Sequence, residues 1–388
     1  MKLIPYGHQG INEEDIEEVV KVLKSDWITT GPKIDEFEKD LCGYIGCNHA
    51  VAVNSGTSAL DIAVQALNLP RGSEVITTPF TFVATSNALL YNNVRPVFAD
   101  ITRETRNINP EEIRRKITEK TKAILYVDYA GHPCDIQEIK EIAEKWDLFL
   151  IEDACHALGA EYKGKKVGNF AEMTVFSFHP VKHITTGEGG AVVTNKRNFP
   201  EKLKMLRNHG IDKSALEKSG SKAGWAYDLK FLGRNYRITD FQAALGISQL
   251  KRLDEFIKRR GEIAEMYNEA FEDVPEIETP IFKPFVKPAW HIYTVLLKGI
   301  NRDEFFKKMR EGNVGVNVHY IPIYRFSYYQ KHFNINPKNF SATEEVFSKI
   351  ITLPLFPKME DEEVLYVIDA VKKTISEIEK HEVCNEYS

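Results

Sequence analysis

Cysteine is scarce and unpatterned in this sequence. The 388-residue chain has five (Cys42, Cys47, Cys134, Cys155 and Cys384), an odd number with no C-x-x-C spacing. Such usage suits a reducing, cytoplasmic setting, and Cys155 reads as a buried thiol. Charge of one sign is missing too. The 51 basic and 56 acidic residues leave a net charge of -5, whereas a nucleic-acid scaffold would need a basic face. No apolar run approaches the ~18 residues of a membrane span. The opening MKLIPYGHQGINEED carries no apolar signal region, so neither export nor a membrane partner is expected.

Several chemical signatures are absent as well. No G-x-x-x-x-G-K-[ST] P-loop is present, and the GEGG at 187–190 follows a loop and precedes a strand, the wrong place for a G-x-G-x-x-G nicotinamide fingerprint. H-E-x-x-H is missing. His179 and His183 would need a helix to share a metal, and Pro180 disfavours one at its interior, so no metal site is expected.

What is present is ordinary in bulk and specific in pattern. Hydrophobic residues make up 43% and charged residues 28%, as in a folded globular protein. Asn12 and Asp15 read as a capping pair for a first helix with Ile16, Val19, Val20 and Leu23 on one face. From residue 50, apolar runs (AVAVN, EVITT, VRPVFA, KAILYV, LFLIED) alternate with helical patterns such as TSALDIAVQAL. This rhythm predicts an α/β fold, a parallel sheet with helices on both faces, lasting to about residue 195. Helices are expected near 199–208 and 239–260. The proline-rich stretch 275–290 reads as a crossing to a smaller α+β lobe. In that lobe WHIYTVLLKG, RDEFFKKMREG and VGVNVHYIP read as strand, helix stopped by Gly312, and strand, with a final helix near 361–380. The closing HEVCNEYS is expected to fray.

Open parallel sheets bind ligands at the carboxyl ends of their strands, and four polar clusters fall there. In NSGTSAL (54–60), small residues free amide N–H groups for an anion at a helix start, beside Thr57 and Ser58; an ordinary helix cap explains the same residues. Glu152, Asp153 and His156 emerge after the strand LFLI, suited to a cation, a metal or a protonated heterocycle, or again to a cap. Ser177 and Lys182 follow the strand MTVFSF. A partly desolvated lysine there is a nucleophile or base, against the plainer reading of a surface lysine. Asn235 and Arg237 precede a helix within reach of a phosphate. Together, a phosphate cradle, a carboxylate and a lysine match the needs of pyridoxal 5′-phosphate: phosphate binding, a protonated ring nitrogen and an imine. Phe82 in TPFTFVAT is the candidate to plate the ring.

These motifs, with WITTGPKIDEFEKDL, EDACHALGA, SFHPVKHITTGEGGAVVTN, NYRITDFQAALGISQL and VHYIPIY, resemble the DegT/DnrJ/EryC1/StrS sugar aminotransferases over nearly the whole chain. The resemblance implies a pyridoxal-phosphate enzyme of fold type I, with a large domain around a mostly parallel seven-stranded sheet and a small C-terminal α+β domain. It divides the chain at 1–250 and 251–388. It makes Lys182 the Schiff-base lysine, Asp153 the partner of the pyridinium nitrogen, and His156 a neighbour of the ring near its 3-hydroxyl. Gly56, Thr57 and Ser177 serve the phosphate, Phe82 stacks on the ring, and Asn235 reaches the phosphate of a neighbouring subunit in a homodimer. Tyr6, Asp26, Trp27, Ile28, Thr29, Arg237, His319, Tyr320, Ile321 and Pro322 line the nucleotide-sugar side.

The implied reaction moves an amino group from L-glutamate, released as 2-oxoglutarate, to the C4 ketone of a nucleotide-linked deoxysugar, with pyridoxamine 5′-phosphate as the intermediate cofactor form. VDYAGHPCDI and VHYIPIYRFSYYQKHF resemble the 4-aminotransferases of pseudaminic acid biosynthesis, which act on a UDP-linked 2-acetamido-4-keto-6-deoxy sugar. Asp26–Trp27 departs from that subgroup, and WITTGP is similar to the arabinose and perosamine aminotransferases. A non-catalytic relative of the same fold would have lost Lys182, which is present.

Overall fold

The apolar runs become strands because each is short, β-branched and covered on both faces. In this computed structural model, which describes residues 2–212 and 227–386, they form one seven-stranded sheet. Its strands are β1 (His49–Val53), β2 (Glu74–Thr77), β3 (Arg95–Phe98), β4 (Thr121–Val127), β5 (Phe149–Asp153), β6 (Met173–Ser177) and β7 (Gly190–Thr194). The spatial order is β1-β7-β6-β5-β4-β2-β3. Only β7 runs antiparallel, to both β1 and β6; the remaining neighbours pair in parallel. A parallel return would need a crossover element. The chain between β6 and β7 turns straight back instead, and that turn carries Lys182. Val51, Ile76, Leu125, Ile151 and Val175 are fully buried in the sheet.

The first helix, Glu13–Leu23, carries the expected cap: Asp15 N–H donates to Asn12 and Asn12 N–H to Asp15, both at 3.0 Å. Its expected apolar face is a correction. Ile16, Val20 and Leu23 are exposed, while Asp15 and Val22 are buried. Asp15 turns inward because Gln249 donates to it at 2.6 Å and Arg252 forms an ion pair with it, so a buried charge is paired rather than stranded.

Helices Asp240–Lys251 and Leu253–Phe271 lead into the small domain. Its three-stranded antiparallel sheet has Tyr293–Leu297 between Ile277–Glu278 and Ile350–Leu353. Around it Tyr267, Phe305, Met309 and Val371 are fully buried. The proline-rich 275–290 does cross: Ile277 pairs with Leu297 in this sheet, whereas Val286 pairs with Tyr162 of a hairpin after β5. Helix Arg302–Glu311 ends at Gly312. VGVNVHYIP is not the expected strand. It makes only single bridges, Val314 to Ile4 and Asn317 to Thr352, because it must turn away to place His319 and Tyr320 beside β5. The final helix runs Asp361–Glu386, beyond its expected end, and Tyr387 and Ser388 of the expected frayed terminus lie outside the described residues. Among the described residues no helix is long and apolar enough to cross a membrane.

Candidate active site

The strand ends converge on a cleft of about 600 Å³. Helix Gly56–Leu67 starts at its rim, with Ser55 accepting from Ser58 N–H at 3.0 Å. The first amides of a helix have no partner within it, and a helix start favours an anion. A Cβ at Gly56 would lie 2.8 Å from the Ser177 Cβ, so glycine lets the helix start and the end of β6 meet in one cradle. Behind them β7 passes so closely that a Cβ on Gly190 would sit 2.6 Å from the Ser55 carbonyl carbon. Gly187 adopts φ +78, a conformation open to glycine at little cost. The residues stripped of side chains after Lys182 are therefore those that let the chain return behind the cradle.

Asp153 ends β5 with its carboxylate held from two sides. Thr85 Oγ1 donates to Oδ2 at 2.7 Å and Cys155 N–H to Oδ1 at 3.2 Å. Lys182 faces it across the cleft, half-buried. Loss of water around its ammonium pushes the Lys182 pKa below the ordinary lysine value; Cys155 and Asp153 oppose that shift and Arg260 adds to it. His156 is buried, its Nε2 is 3.0 Å from the Tyr320 hydroxyl, and its Nδ1 has no hydrogen-bond partner among the described residues. Burial, aided by Lys182, His319 and His183, holds its pKa well below the usual histidine value, so the ring is neutral. Tyr6 leans on His319, ring centroids 5.3 Å apart, and the Tyr129 hydroxyl donates to the His319 carbonyl at 2.6 Å.

The cleft thus brings together Gly56, Thr57, Phe82, Asp153, His156, Ser177 and Lys182 with Tyr6, His319, Tyr320 and Ile321. Phe82 is 56% exposed, free to cover a planar ring. Asp26, Trp27, Ile28, Thr29, Asn235 and Arg237 do not line this chain's cleft, and Pro322 stands just behind Ile321. They group elsewhere: Thr29 bridges Thr239, and the Ile28 carbonyl accepts from Asp240 N–H at 3.2 Å. Arg237 is engaged with Asn208 at 2.7 Å, and Trp27 and Asn235 are exposed. Sequence reasoning missed Thr85 and His291. Thr85 closes the TPFTFVAT stretch quoted for Phe82, but nothing in that stretch marks its hydroxyl as a partner for Asp153. His291, beside Trp290 at a strand start, had only its buried setting to betray it.

The residues present fit pyridoxal 5′-phosphate. A helix-start cradle with hydroxyls would suit its phosphate, a carboxylate on two donors would suit a protonated ring nitrogen, and an amine of lowered proton affinity would suit its imine. Comparison with known proteins agrees. Residues 9–372 match the DegT/DnrJ/EryC1/StrS aminotransferase family. The UDP-4-amino-4,6-dideoxy-N-acetyl-beta-L-altrosamine transaminase of Campylobacter jejuni is 39% identical over 384 residues, 97% of this chain and 99% of the relative. Helicobacter pylori PseC, an aminotransferase involved in the biosynthesis of pseudoaminic acid, superposes with a TM-score of 0.90 at 36% identity, covering 97% of this chain and all of that one. The putative sugar aminotransferase Spr1654 of Streptococcus pneumoniae, in its pyridoxal-phosphate form, gives a TM-score of 0.90 at 31% identity, over 97% and 99% of the two chains. With family, fold and cofactor chemistry in agreement, the chain belongs to the DegT/DnrJ/EryC1/StrS family and is a pyridoxal-phosphate-dependent sugar aminotransferase.

Proposed function

We propose that this enzyme transfers the amino group of L-glutamate to C4 of UDP-2-acetamido-2,6-dideoxy-β-L-arabino-hexos-4-ulose, giving UDP-4-amino-4,6-dideoxy-N-acetyl-β-L-altrosamine, and works as a homodimer. The observation that carries the reading is that His319, Tyr320 and Ile321, from the VHYIP segment that resembles the altrosamine-type enzymes, line the same cleft as Lys182, with Tyr6 packed on His319. Full-length similarity to the Campylobacter and Helicobacter proteins supports it.

Bound pyridoxal phosphate supplies a carbonyl that condenses with amines and a protonated ring that withdraws electrons. Gly56, Thr57 and Ser177 hold its phosphate, Asp153 favours the protonated ring nitrogen, and Phe82 covers the ring. Lys182 does the proton work. Its amine, uncharged more readily than an ordinary lysine, removes the Cα proton of glutamate in the first half-reaction and delivers a proton to sugar C4 in the second. One base serves both substrates in turn because both occupy the same cleft. Tyr320 and His156 line the cleft with it, and Arg237 with the Asn235 segment serves the neighbouring subunit.

Two experiments test this. Lys182→Ala should abolish turnover, and substantial multiple turnover in that variant overturns the role of Lys182. A panel of 4-keto sugars offered with glutamate, read by 2-oxoglutarate release and product NMR, should favour the UDP-linked L-arabino acetamido sugar. Preference for GDP-4-keto-6-deoxymannose or for a UDP-linked 4-keto pentose moves the chain to the perosamine or arabinose type.

A further inference from the structure

His291 belongs to no motif of the sequence, yet it stands against the reacting nitrogen. Its Nε2 is 3.4 Å from Lys182 Nζ. The side chain is buried, and its other ring nitrogen, Nδ1, has no hydrogen-bond partner among the described residues. One residue fixes the pair. Arg260 is completely buried, and its contacts among the described residues are main-chain carbonyls. Nη1 donates to the carbonyls of His291 and Leu355, each at 3.0 Å, and Nη2 reaches the Lys182 carbonyl at 3.4 Å. From the other side His291 N–H donates to the Ala130 carbonyl at 3.0 Å. Lysine and histidine are thus held by a single guanidinium plate, on two separate stretches of chain 109 residues apart.

We propose that His291 is a positioning residue for the reaction, whose Nε2 accepts a hydrogen bond from the Lys182 amine whenever that amine is free of the cofactor and so keeps it aimed at the substrate carbon. This rests on the reading of Lys182 as the proton-transferring lysine. A freed lysine has four rotatable bonds, and a general base displaced by an ångström loses much of its rate. An acceptor at a fixed place removes that freedom. The acceptor must be uncharged, and the surroundings keep it so. Burial first, then Lys182, His156, His183 and Arg260, hold the His291 pKa well below the usual histidine value. The His156 and His183 rings lie 4.3 and 5.8 Å away, so the groups facing it are cations or neutral imidazoles. With its proton on Nδ1, the ring turns a lone pair to Lys182.

The test compares the holoenzyme with His291→Gln, which keeps an acceptor, and His291→Met, of similar length without a good one. Borohydride trapping followed by peptide mass spectrometry should mark Lys182 in all three. Absence of the mark in the unmodified enzyme overturns the Lys182 reading and this proposal together. With Lys182 marked, His291→Met should slow the glutamate half-reaction on the order of 100-fold with little change in KM, and His291→Gln should stay within about fivefold. In cofactor-free protein, the pH midpoint for acylation of Lys182 should fall in His291→Met and return in His291→Gln, because the acceptor favours the ammonium form. Wild-type rate and midpoint in His291→Met, or equal losses in both variants, overturn the proposal. If His291→Met does not fold, His291→Phe with an unchanged melting temperature takes its place.

Discussion

The Thr85 hydroxyl donates to Asp153 Oδ2 across 2.7 Å, with both side chains buried. The cleft-facing carboxylate is thus aimed by a residue from the helix Ala84–Tyr91, on a different part of the sheet edge. Thr85→Val keeps the shape and removes the donor. A hydrogen bond to a charged group is worth about 1.5–3 kcal/mol, so the cofactor dissociation constant should rise about tenfold or more. Spectroscopic titration of cofactor-free protein checks it, and an unchanged constant refutes the role.

Gly56→Ala should damage the cradle by crowding rather than by charge. The new methyl would meet the Ser177 Cβ at 2.8 Å and its Oγ at 3.0 Å, an overpacking worth about 1–3 kcal/mol. Ser177→Gly removes both atoms. The melting temperature of cofactor-free Gly56→Ala should therefore drop, and that of Gly56→Ala/Ser177→Gly should recover in part. Equal melting temperatures for the single and double variants would show that the crowding lies elsewhere.

Asp61 anchors the segment around Asn235. It is 1% exposed; Oδ2 accepts from Arg234 Nε at 3.2 Å and the Tyr236 hydroxyl at 2.9 Å, and Oδ1 accepts from Asn92 at 2.8 Å. If Asn235 completes the neighbouring subunit's site, mixing Lys182→Ala chains with Asn235→Asp chains should restore up to about a quarter of wild-type activity, the share of sites joining both intact residues in random dimers. Adding Asp61→Ala to the Lys182→Ala chain should cut that recovery several-fold, while adding it to the Asn235→Asp chain should not. No recovery on subunit exchange rejects the shared site.

Acid should destabilise this fold through its buried histidines. Burial lowers His183 and His319 from 6.5 to about 3 and His132 to about 4. The unfolded chain protonates these rings near 6.5 and the folded one only near 3 to 4. The unfolded state therefore binds more protons in between, and the stability these groups contribute is complete above 6.5 and is lost as pH falls. Each such group removes about 1.4 kcal/mol per pH unit well inside that window. Buried Asp128 and Glu152, raised chiefly by desolvation, act in the opposite sense. His132→Asn should therefore flatten the fall in denaturant midpoint between pH 6.5 and 4 by about one proton, and an unchanged slope would refute the assignment.

By itself the sequence determined the strand–helix alternation, the cap at Asn12 and Asp15, and the polar clusters at strand ends. These depend on local chemistry: β-branched apolar runs need cover on both faces, and Asn and Asp satisfy free amides at a helix start. Gly56, Asp153, Ser177 and Lys182 were legible because each lies at the end of an apolar run or in the short polar stretch that follows it. Only the tertiary structure decided which face of the first helix is buried, since Arg252 and Gln249, more than two hundred residues away, draw Asp15 inward against the helix's own apolar pattern. It also turned VGVNVHYIP from a strand into the segment that sets His319 and Tyr320 beside His156. Thr85, His291 and Arg260 were invisible for the same reason. Each acts through a partner far along the chain, and a hydrogen bond between distant segments leaves no period or spacing in either one.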